Sequence, residues 1–248
     1  LQLVPHGSHR LQVSSQPPDA QDELRTEVAS AAHQASASLD LDEFDTRKLI
    51  DQQLRDVGWE ANTAEFRYSR GVRPEKGRNL AIAEWPTSDG GSADYVLFCG
   101  LTPIATAEAK RQRRNAKTAI RQAERYAQHF DVRPEMSSPG GPWSNHRVPF
   151  VFSTNGNPYH RQHLESSGIW FRDTRLDTNH ARALTGWYSP EGLTDLLAID
   201  VPAADRKLQY EPSDYLPLYP FQREAITAVE QAVTAGQRNI LVAMATGT

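Results

Sequence analysis

Two carboxylates and a lysine fall on adjacent strand-like segments in the middle of this 248-residue chain. The alternating apolar pattern and a Gly-Leu-Thr break predict a β-hairpin over residues 93–109. With Leu101 at the centre of the loop, we expect Asp94 opposite Glu108, with Cβ atoms ~5 Å apart. Because side chains alternate along a strand, Lys110 shares the face of Glu108. The three polar groups therefore converge on one side of otherwise apolar strands.

This arrangement indicates a site for a divalent cation. Two carboxylates at that separation repel each other, and burial of an unpaired charge is unfavourable. A cation between them removes the conflict, and Mg²⁺ prefers one or two carboxylates together with water and phosphate oxygens. An ordinary surface ion pair between Lys110 and one of the acids is the alternative. The strand alternation and the acid-x-Lys spacing at a strand end favour the metal site.

Basic residues gather directly after the hairpin, where a long helix is predicted over about residues 115–130. Residues 110–125 contain seven basic side chains and one acid, Glu124. The residues expected to follow a nucleic-acid backbone are Arg111, Arg114, Lys117, Arg121 and Arg125, the last four at helical spacings. A solvated helix face is the alternative. Gln122 and Tyr126, four residues apart on this helix, can reach towards one point.

The elements that must position these residues predict an α/β fold. We expect a mixed central β-sheet of about four or five strands flanked by helices, with the hairpin in the centre. The predicted helices cover residues 41–57, 115–130, 189–198 and 219–235, and the predicted strands cover residues 79–85, 93–99, 103–109, 148–153, 169–172 and 239–244.

Composition excludes several classes of protein. The formal net charge of −4 excludes a globally basic coat protein for nucleic acid, although a local basic patch remains possible. The single cysteine, Cys99, excludes an intramolecular disulfide and a thiolate metal cage, and it indicates a reducing compartment, so a cytoplasmic location is expected. No apolar run reaches the ~18–20 residues of a membrane span.

Four segments in order resemble a known nuclease family. They are residues 43–51 leading to Gly58-Trp59, residues 93–97, residues 107–111 and residues 149–156. Together with the Gln-x-x-x-Tyr spacing, they resemble the RecB-like branch of the PD-(D/E)xK nuclease superfamily. More closely, they resemble the N-terminal region of the R subunits of type I restriction endonucleases. The proline of the superfamily motif is replaced here by Ala93.

The resemblance implies a restriction-endonuclease-like core and a role for each site residue. Asp94 and Glu108 would hold Mg²⁺, helped by the carbonyl of Ala109, while Lys110 would position the attacking water. Three residues would support the site: Glu43, Gln122 and Tyr126. The reaction would be hydrolysis of a DNA phosphodiester.

The C-terminal residues resemble the start of an ATP-driven motor. Residues 219–226 resemble the adenine-reading glutamine helix of superfamily 2 helicases, with Gln222 as the reading residue. Residues 242–248 resemble a strand that enters a phosphate-binding loop. We expect a fragment of a RecA-like helicase domain, in which Thr246, Gly247 and Thr248 would bind ATP in the intact protein. The lysine of that loop is not in the sequence, so ATP hydrolysis by this chain alone is not expected.

These observations predict four regions and two competing functions. Residues 1–38 are expected to be vector-derived residues and a flexible leader, 39–200 a nuclease domain, 201–218 a linker, and 219–248 the beginning of the helicase domain. The expected partners are double-stranded DNA and the methyltransferase and specificity subunits of a type I complex. The alternative is a non-catalytic DNA-binding and docking module, which would have no need of Asp94, Glu108 and Lys110 together.

Overall fold

The structure is a computed structural model in which residues 43–212, 215–237 and 239–244 are described. The chain divides into two compact units, Leu1–Phe44 and Asp45–Thr248. The sheet and the apolar cores lie in the second unit. The predicted leader over residues 1–38 lies outside the described residues.

A mixed β-sheet forms the centre of the second unit, as predicted, with the hairpin of residues 92–109 in its middle. Its seven strands in the described residues follow the chain order. They are β1 (Glu60–Ala61), β2 (Asn79–Pro86), β3 (Ser92–Cys99), β4 (Thr102–Ala109), β5 (Phe150–Thr154), β6 (Ile169–Asp173) and β7 (Arg182–Ala183). The pairs β1–β2 and β4–β5 are parallel, and the other neighbours are antiparallel. The two strands beyond the expected number, β1 and β7, have two residues each.

Five α-helices accompany the sheet in the described part of the chain. They are α1 (43–56), α2 (Ala116–Gln128), α3 (Pro190–Ala198), α4 (Val201–Tyr210) and α5 (Pro220–Thr234). Gly58, with φ +97°, ends the turn after α1 in the left-handed conformation that is common just after a helix. None of the helices in these ranges is long and apolar enough to cross a membrane.

The hairpin that carries the candidate site has the predicted register away from its turn. Tyr95 pairs with Ala107 and Leu97 with Ala105, and the register then shifts between Leu97 and Phe98. This bulge takes up one residue of β4, so the turn is shorter than predicted and Thr102 already belongs to the strand. Beside it Gly100 has a positive φ of 58°, a conformation that glycine adopts without a Cβ clash.

The two faces of the sheet bury separate apolar clusters. On one face Tyr95 and Leu97 pack with Ile50 of α1, and on the other Val96 and Phe98 pack with residues of α2. This alternation is the predicted one, because successive residues of a strand point to opposite faces. The face covered by α2 is also the face of Glu108, which bonds to Tyr126 of that helix.

The C-terminal residues differ from the prediction in one place and add a helix in another. The region 201–218, whose role as a linker stays a prediction, begins with α4. The Asp200 side chain caps this helix by accepting a hydrogen bond from Ala203 N, and its proline lies in the first turn, where no N–H is needed. Residues 239–244 are not a strand. None of the described strands pairs with them, so their backbone groups do not join the hydrogen bonds of the sheet. The side chain of Leu241 is 93% exposed, which is unlike a strand buried in a sheet.

Candidate functional site

Asp94 and Glu108 lie on one face of the sheet, at neighbouring positions of the central hairpin. The pairing of Tyr95 with Ala107, continued outward by one residue, sets Asp94 opposite Glu108. Tyr95 and Ala107 point to the opposite face, into the cluster that α1 covers. The structure thus brings the two predicted carboxylates together, and the charge of Asp94 acts on Glu108.

Glu108 belongs to a closed ring of four side chains. Lys110 Nζ donates to Glu108 Oε1 and, over 3.0 Å, to Gln122 Oε1. Gln122 Nε2 donates to the Tyr126 hydroxyl over 2.6 Å, and that hydroxyl donates to Glu108 Oε2 over 2.8 Å. The i,i+4 spacing of Gln122 and Tyr126 directs both side chains of α2 at the end of β4. The family resemblance implied that Gln122 and Tyr126 support the site, and in the structure both bond to its residues.

The surroundings of Glu108 disfavour its charge. Its side chain is 3% exposed. Burial, and next the negative charge of Asp94, raise the pKa of Glu108 to about 7, against the opposing effects of Lys110 and Tyr126. Burial also raises the pKa of the Tyr126 hydroxyl, and the charge of Glu108 adds to this. The phenol therefore keeps its proton and remains a donor to the carboxylate.

Asp94 is held by two donors, one from the backbone and one from a side chain. Ala109 N donates to Asp94 Oδ2 over 2.8 Å. Arg47 Nη2, on α1, donates to Asp94 Oδ1 over 2.9 Å and forms an ion pair. Sequence reasoning did not single out Arg47. Arg47 lies within residues 43–51, one of the segments that resemble the nuclease family, but the resemblance assigned no role to this arginine.

Glu43 is exposed and is one of the two described residues of the first compact unit. Its supporting role at the metal stays a prediction.

A buried asparagine fixes the turn that follows Lys110. Because β4 and β5 are parallel, their carboxyl ends meet at one edge of the sheet. Asn155, which follows β5 and is 4% exposed, donates from Nδ2 to Arg114 O over 2.7 Å. Asn157 Nδ2 donates to Gln112 O over 2.9 Å. These bonds hold the backbone of residues 111–114 beside the site, and sequence reasoning missed both asparagines.

The basic residues fall into two groups rather than one helical stripe. Asn115 caps α2 by accepting a hydrogen bond from Lys117 N, so the helix begins after Arg114. Arg111 and Arg114 lie in the preceding turn, in which Arg114 N donates to Arg111 O over 2.8 Å. Arg114, which its spacing placed in one helical stripe with the later cations, therefore lies just before the helix.

Two of the helical cations are already paired with acids. Lys117 bonds to Glu165 over 2.6 Å, and Arg125 bonds to Asp89 over 2.5 Å. Arg121 and Arg114 are exposed, and neither forms an ion pair with an acid in the described ranges. Among the basic residues predicted to follow a nucleic-acid backbone, these two are exposed cations that can meet an external anion.

The donor set at Asp94 and Glu108 fits Mg²⁺. In the described parts of the chain, no group of three or more His, Cys, Asp or Glu side chains is placed so that it could hold a metal ion. The two carboxylates nevertheless match a cation that takes one or two carboxylates and fills its other positions with water and phosphate oxygens. The like-charge contribution of Asp94 to the raised pKa of Glu108 is the conflict that such a cation relieves.

The predicted nucleotide-binding residues are only partly described. Gln222 Oε1 accepts a hydrogen bond of 2.9 Å from Tyr219 N and so closes the first turn of α5. Thr246, Gly247 and Thr248 lie outside the described residues. ATP binding and the helicase fragment stay predictions.

The sequence matches one family model over its central region. The model for the second domain of the EcoKI endonuclease subunit, a type I restriction enzyme, matches residues 60–197, more than half of the chain. The chain belongs to this family. The matched residues contain the central hairpin, α2 and β5, and thus Asp94, Glu108, Lys110 and Asn155.

One curated relative supports the family match, and one solved structure is also similar to the chain. The EcoKI endonuclease subunit of Escherichia coli (strain K12) is 38% identical over 239 residues, which cover 85% of this chain and 20% of that protein. The chain therefore spans about a fifth of the length of this relative. A solved fragment described as an HsdR subunit of a type I restriction enzyme from Vibrio vulnificus YJ016 is 24% identical. That match has a TM-score of 0.39 and covers 83% of this chain and 35% of that one.

Proposed function

We propose that this chain is the Mg²⁺-dependent endonuclease module of the restriction subunit of a type I restriction-modification enzyme. The observation that carries the proposal is the meeting of Asp94, Glu108 and Lys110 on one face of the central hairpin. The family match supports the choice of a restriction endonuclease. The substrate would be double-stranded DNA, which the motor of the intact protein would move past the site with ATP.

Each residue of the site has a separate task in this proposal. Asp94 and Glu108 would hold the cation, and Tyr126 would keep Glu108 Oε2 oriented through its hydrogen bond. When bound, Mg²⁺ would polarise the phosphate and lower the pKa of a water molecule. Attack of water on phosphorus would break the bond to the 3′-oxygen and leave a 5′-phosphate and a 3′-hydroxyl.

Lys110 would stabilise the charge that builds up on the phosphate during attack. Its Nζ contacts Glu108 Oε1 and Gln122 Oε1, and 33% of the side chain remains exposed. The ammonium group is thus held beside the carboxylates while one side stays open to an incoming phosphate. A positioned cation stabilises the transition state more than the bound phosphodiester, because the negative charge is greater there.

The exposed Arg114 and Arg121 would contact the DNA backbone near the site. The methyltransferase and specificity subunits would be the protein partners, and the cytoplasm would be the location.

The proposal is tested by plasmid nicking with the intact restriction subunit, its partner subunits, ATP and Mg²⁺. We expect Asp94→Ala to abolish nicking while ATP hydrolysis continues. Asp89→Ala is the matched control, since Asp89 is an acid on the neighbouring β2–β3 turn that pairs with Arg125 and not with the site. We expect this control to nick DNA at close to the wild-type rate.

A non-catalytic DNA-binding module is the second candidate, favoured by the exposed Arg114 and Arg121 beside the hairpin. Undiminished nicking by Asp94→Ala would support this candidate and overturn the nuclease assignment.

A further inference from the structure

We propose that Arg47 competes with the divalent cation for Asp94 and thereby sets the metal affinity of the site. This inference rests on the proposed function, because it assumes that Asp94 is a metal ligand.

The contacts of Asp94 divide its two oxygens between different kinds of donor. Oδ2 accepts from the backbone N–H of Ala109, which belongs to β4 and is fixed by the sheet. Oδ1 accepts from the Arg47 guanidinium, which ends a long side chain. The two side chains are 15% and 19% exposed, so their attraction is screened less than that of a surface pair. A metal cation that binds Oδ1 must therefore displace the positively charged Arg47 guanidinium or share the oxygen with it.

Helix α1 keeps Arg47 close to Asp94. One turn after Arg47, the Asp51 carboxylate accepts hydrogen bonds of 2.6 and 2.7 Å from Thr63 N and Thr63 Oγ1. It also accepts a bond of 3.1 Å from the hydroxyl of Tyr95, the residue next to Asp94 on β3. Asp51 is 5% exposed and Tyr95 is fully buried. This buried network fixes the helix on the strand, so Asp94 can be released by movement of the Arg47 side chain without movement of the helix.

The cation beside Glu108 is more exposed than the Arg47 side chain beside Asp94. This cation, Lys110, has a side chain that is 33% exposed and retains Gln122 as a second partner. Lys110 can thus turn towards an incoming phosphate without leaving the site. Arg47 is less exposed and is held against Asp94 from the other side of the hairpin end. We therefore assign to Arg47 the control of metal binding and to Lys110 the contact with substrate.

The test measures binding of Mn²⁺ alone to the 248-residue chain by isothermal titration calorimetry. We expect Arg47→Met, which keeps the length of the side chain but removes its charge, to bind Mn²⁺ at least about tenfold more tightly than wild type. Arg47→Lys, which keeps the charge, should stay within about threefold of wild type. The matched control is Arg55→Met, since Arg55 lies two turns further along α1 and bonds to Ala61 O and Gln52. This control should leave the affinity unchanged.

The outcomes separate this inference from the proposed function. If wild type binds Mn²⁺ and Asp94→Asn does not, the metal site stands, and an unchanged or weaker affinity of Arg47→Met then overturns the competition alone. If wild type does not bind Mn²⁺, or if Asp94→Asn binds it equally well, the metal site itself is wrong.

A second measurement covers the case in which Arg47→Met does not fold. The side-chain Nε–H resonance of Arg47 in wild type should move as Mg²⁺ is titrated, while that of Arg55 should not. An Arg47 resonance that stays in place at saturating Mg²⁺ overturns the inference without any variant.

Discussion

The hydroxyl of Tyr126 on α2 donates a hydrogen bond of 2.8 Å to Glu108 Oε2 on β4. This bond links the helix that carries the basic residues to the strand that carries a carboxylate of the site. It also lowers the pKa of Glu108, which burial and Asp94 raise. The helix therefore does more than cover the sheet, because it helps to keep Glu108 in the ionised form that a metal needs.

We predict that Tyr126→Phe weakens metal binding without unfolding the protein. Loss of the hydrogen bond raises the pKa of Glu108 further, and changes beside a metal ligand typically cost about 10-fold or more in affinity. The expected loss of stability is about 1–3 kcal/mol, as for other bonds to a charged group. Mn²⁺ titration at pH 7 measures the first effect, and urea unfolding measures the second.

Tyr68→Phe is the control for this prediction. It makes the same chemical change where the ring packs edge-on against Trp85, in the cluster on the α2 face. An equal loss of metal affinity in both variants would show that the bond to Glu108 has no special role.

Glu108 gives the stability of the metal-free protein a pH dependence of known sign. Its pKa is about 7 in the folded chain, against an ordinary value of 4.5. The folded state therefore holds the proton more tightly, so its contribution to stability is fully present below pH 4.5 and is lost as the pH rises through 7. We predict that Glu108→Gln, which stays neutral, gains Tm relative to wild type as the pH is raised through this range.

Thermal unfolding in the absence of metal measures this difference. Glu165→Gln is the matched control, because Glu165 is exposed and its hydrogen bond with Lys117 lowers its pKa. For Glu165→Gln we expect the Tm difference from wild type to change only slightly with pH, and in the opposite direction. A Glu108→Gln difference that is constant from pH 5 to pH 8 would contradict the buried, charge-disfavouring site.

We predict that the exposed arginines contribute more to DNA binding than the paired cations of α2. Arg114→Ala combined with Arg121→Ala should reduce the slope of log K against log salt by about 2, one for each lost phosphate contact. Lys117→Ala combined with Arg125→Ala removes the same charge, but both side chains are already bound to acids. Fluorescence anisotropy with a short duplex at several salt concentrations compares the two. Equal slopes for the two double variants would contradict this assignment.

Much of the hairpin could be predicted because its determinants are local. Strand alternation placed Tyr95 and Leu97 on one face and Glu108 on the other, and the structure agrees. The turn between β3 and β4 was predicted one residue too long, because Thr102 already belongs to β4. A bulge at Ile104 takes up one residue, and the packing that selects a bulge involves residues far apart in the sequence.

The contacts between distant segments could not be predicted from spacing. Arg47 meets Asp94 across 47 positions of the chain, and Asn155 meets the backbone of Arg114 across 41. No periodicity relates such pairs, because the fold alone brings them together. The predicted helical stripe of basic residues included Arg114, which lies outside the helix for a local reason. Asparagine is favoured at an N-cap over a helix interior, so Asn115 caps α2 and Arg114 precedes it.

In the proposed mechanism Lys110 acts on the phosphate during cleavage, and Lys110→Ala removes the ammonium group that does so. The measurement is plasmid nicking by the assembled enzyme with its partner subunits, ATP and Mg²⁺, with ATP hydrolysis followed in the same reactions. Removal of the ammonium leaves Glu108 without its cation, at an expected cost of about 1–3 kcal/mol of stability. The fold and the ATPase rate should survive this, and circular dichroism checks the fold.

We predict that Lys110→Ala lowers the nicking rate by about 10²–10³ at an unchanged rate of ATP hydrolysis. Excess Mg²⁺ should not restore it, because the lost group acts on the phosphate and not on the metal. Nicking by Lys110→Ala at the wild-type rate would show that Lys110 has no part in cleavage and would leave the chain as a DNA-binding module.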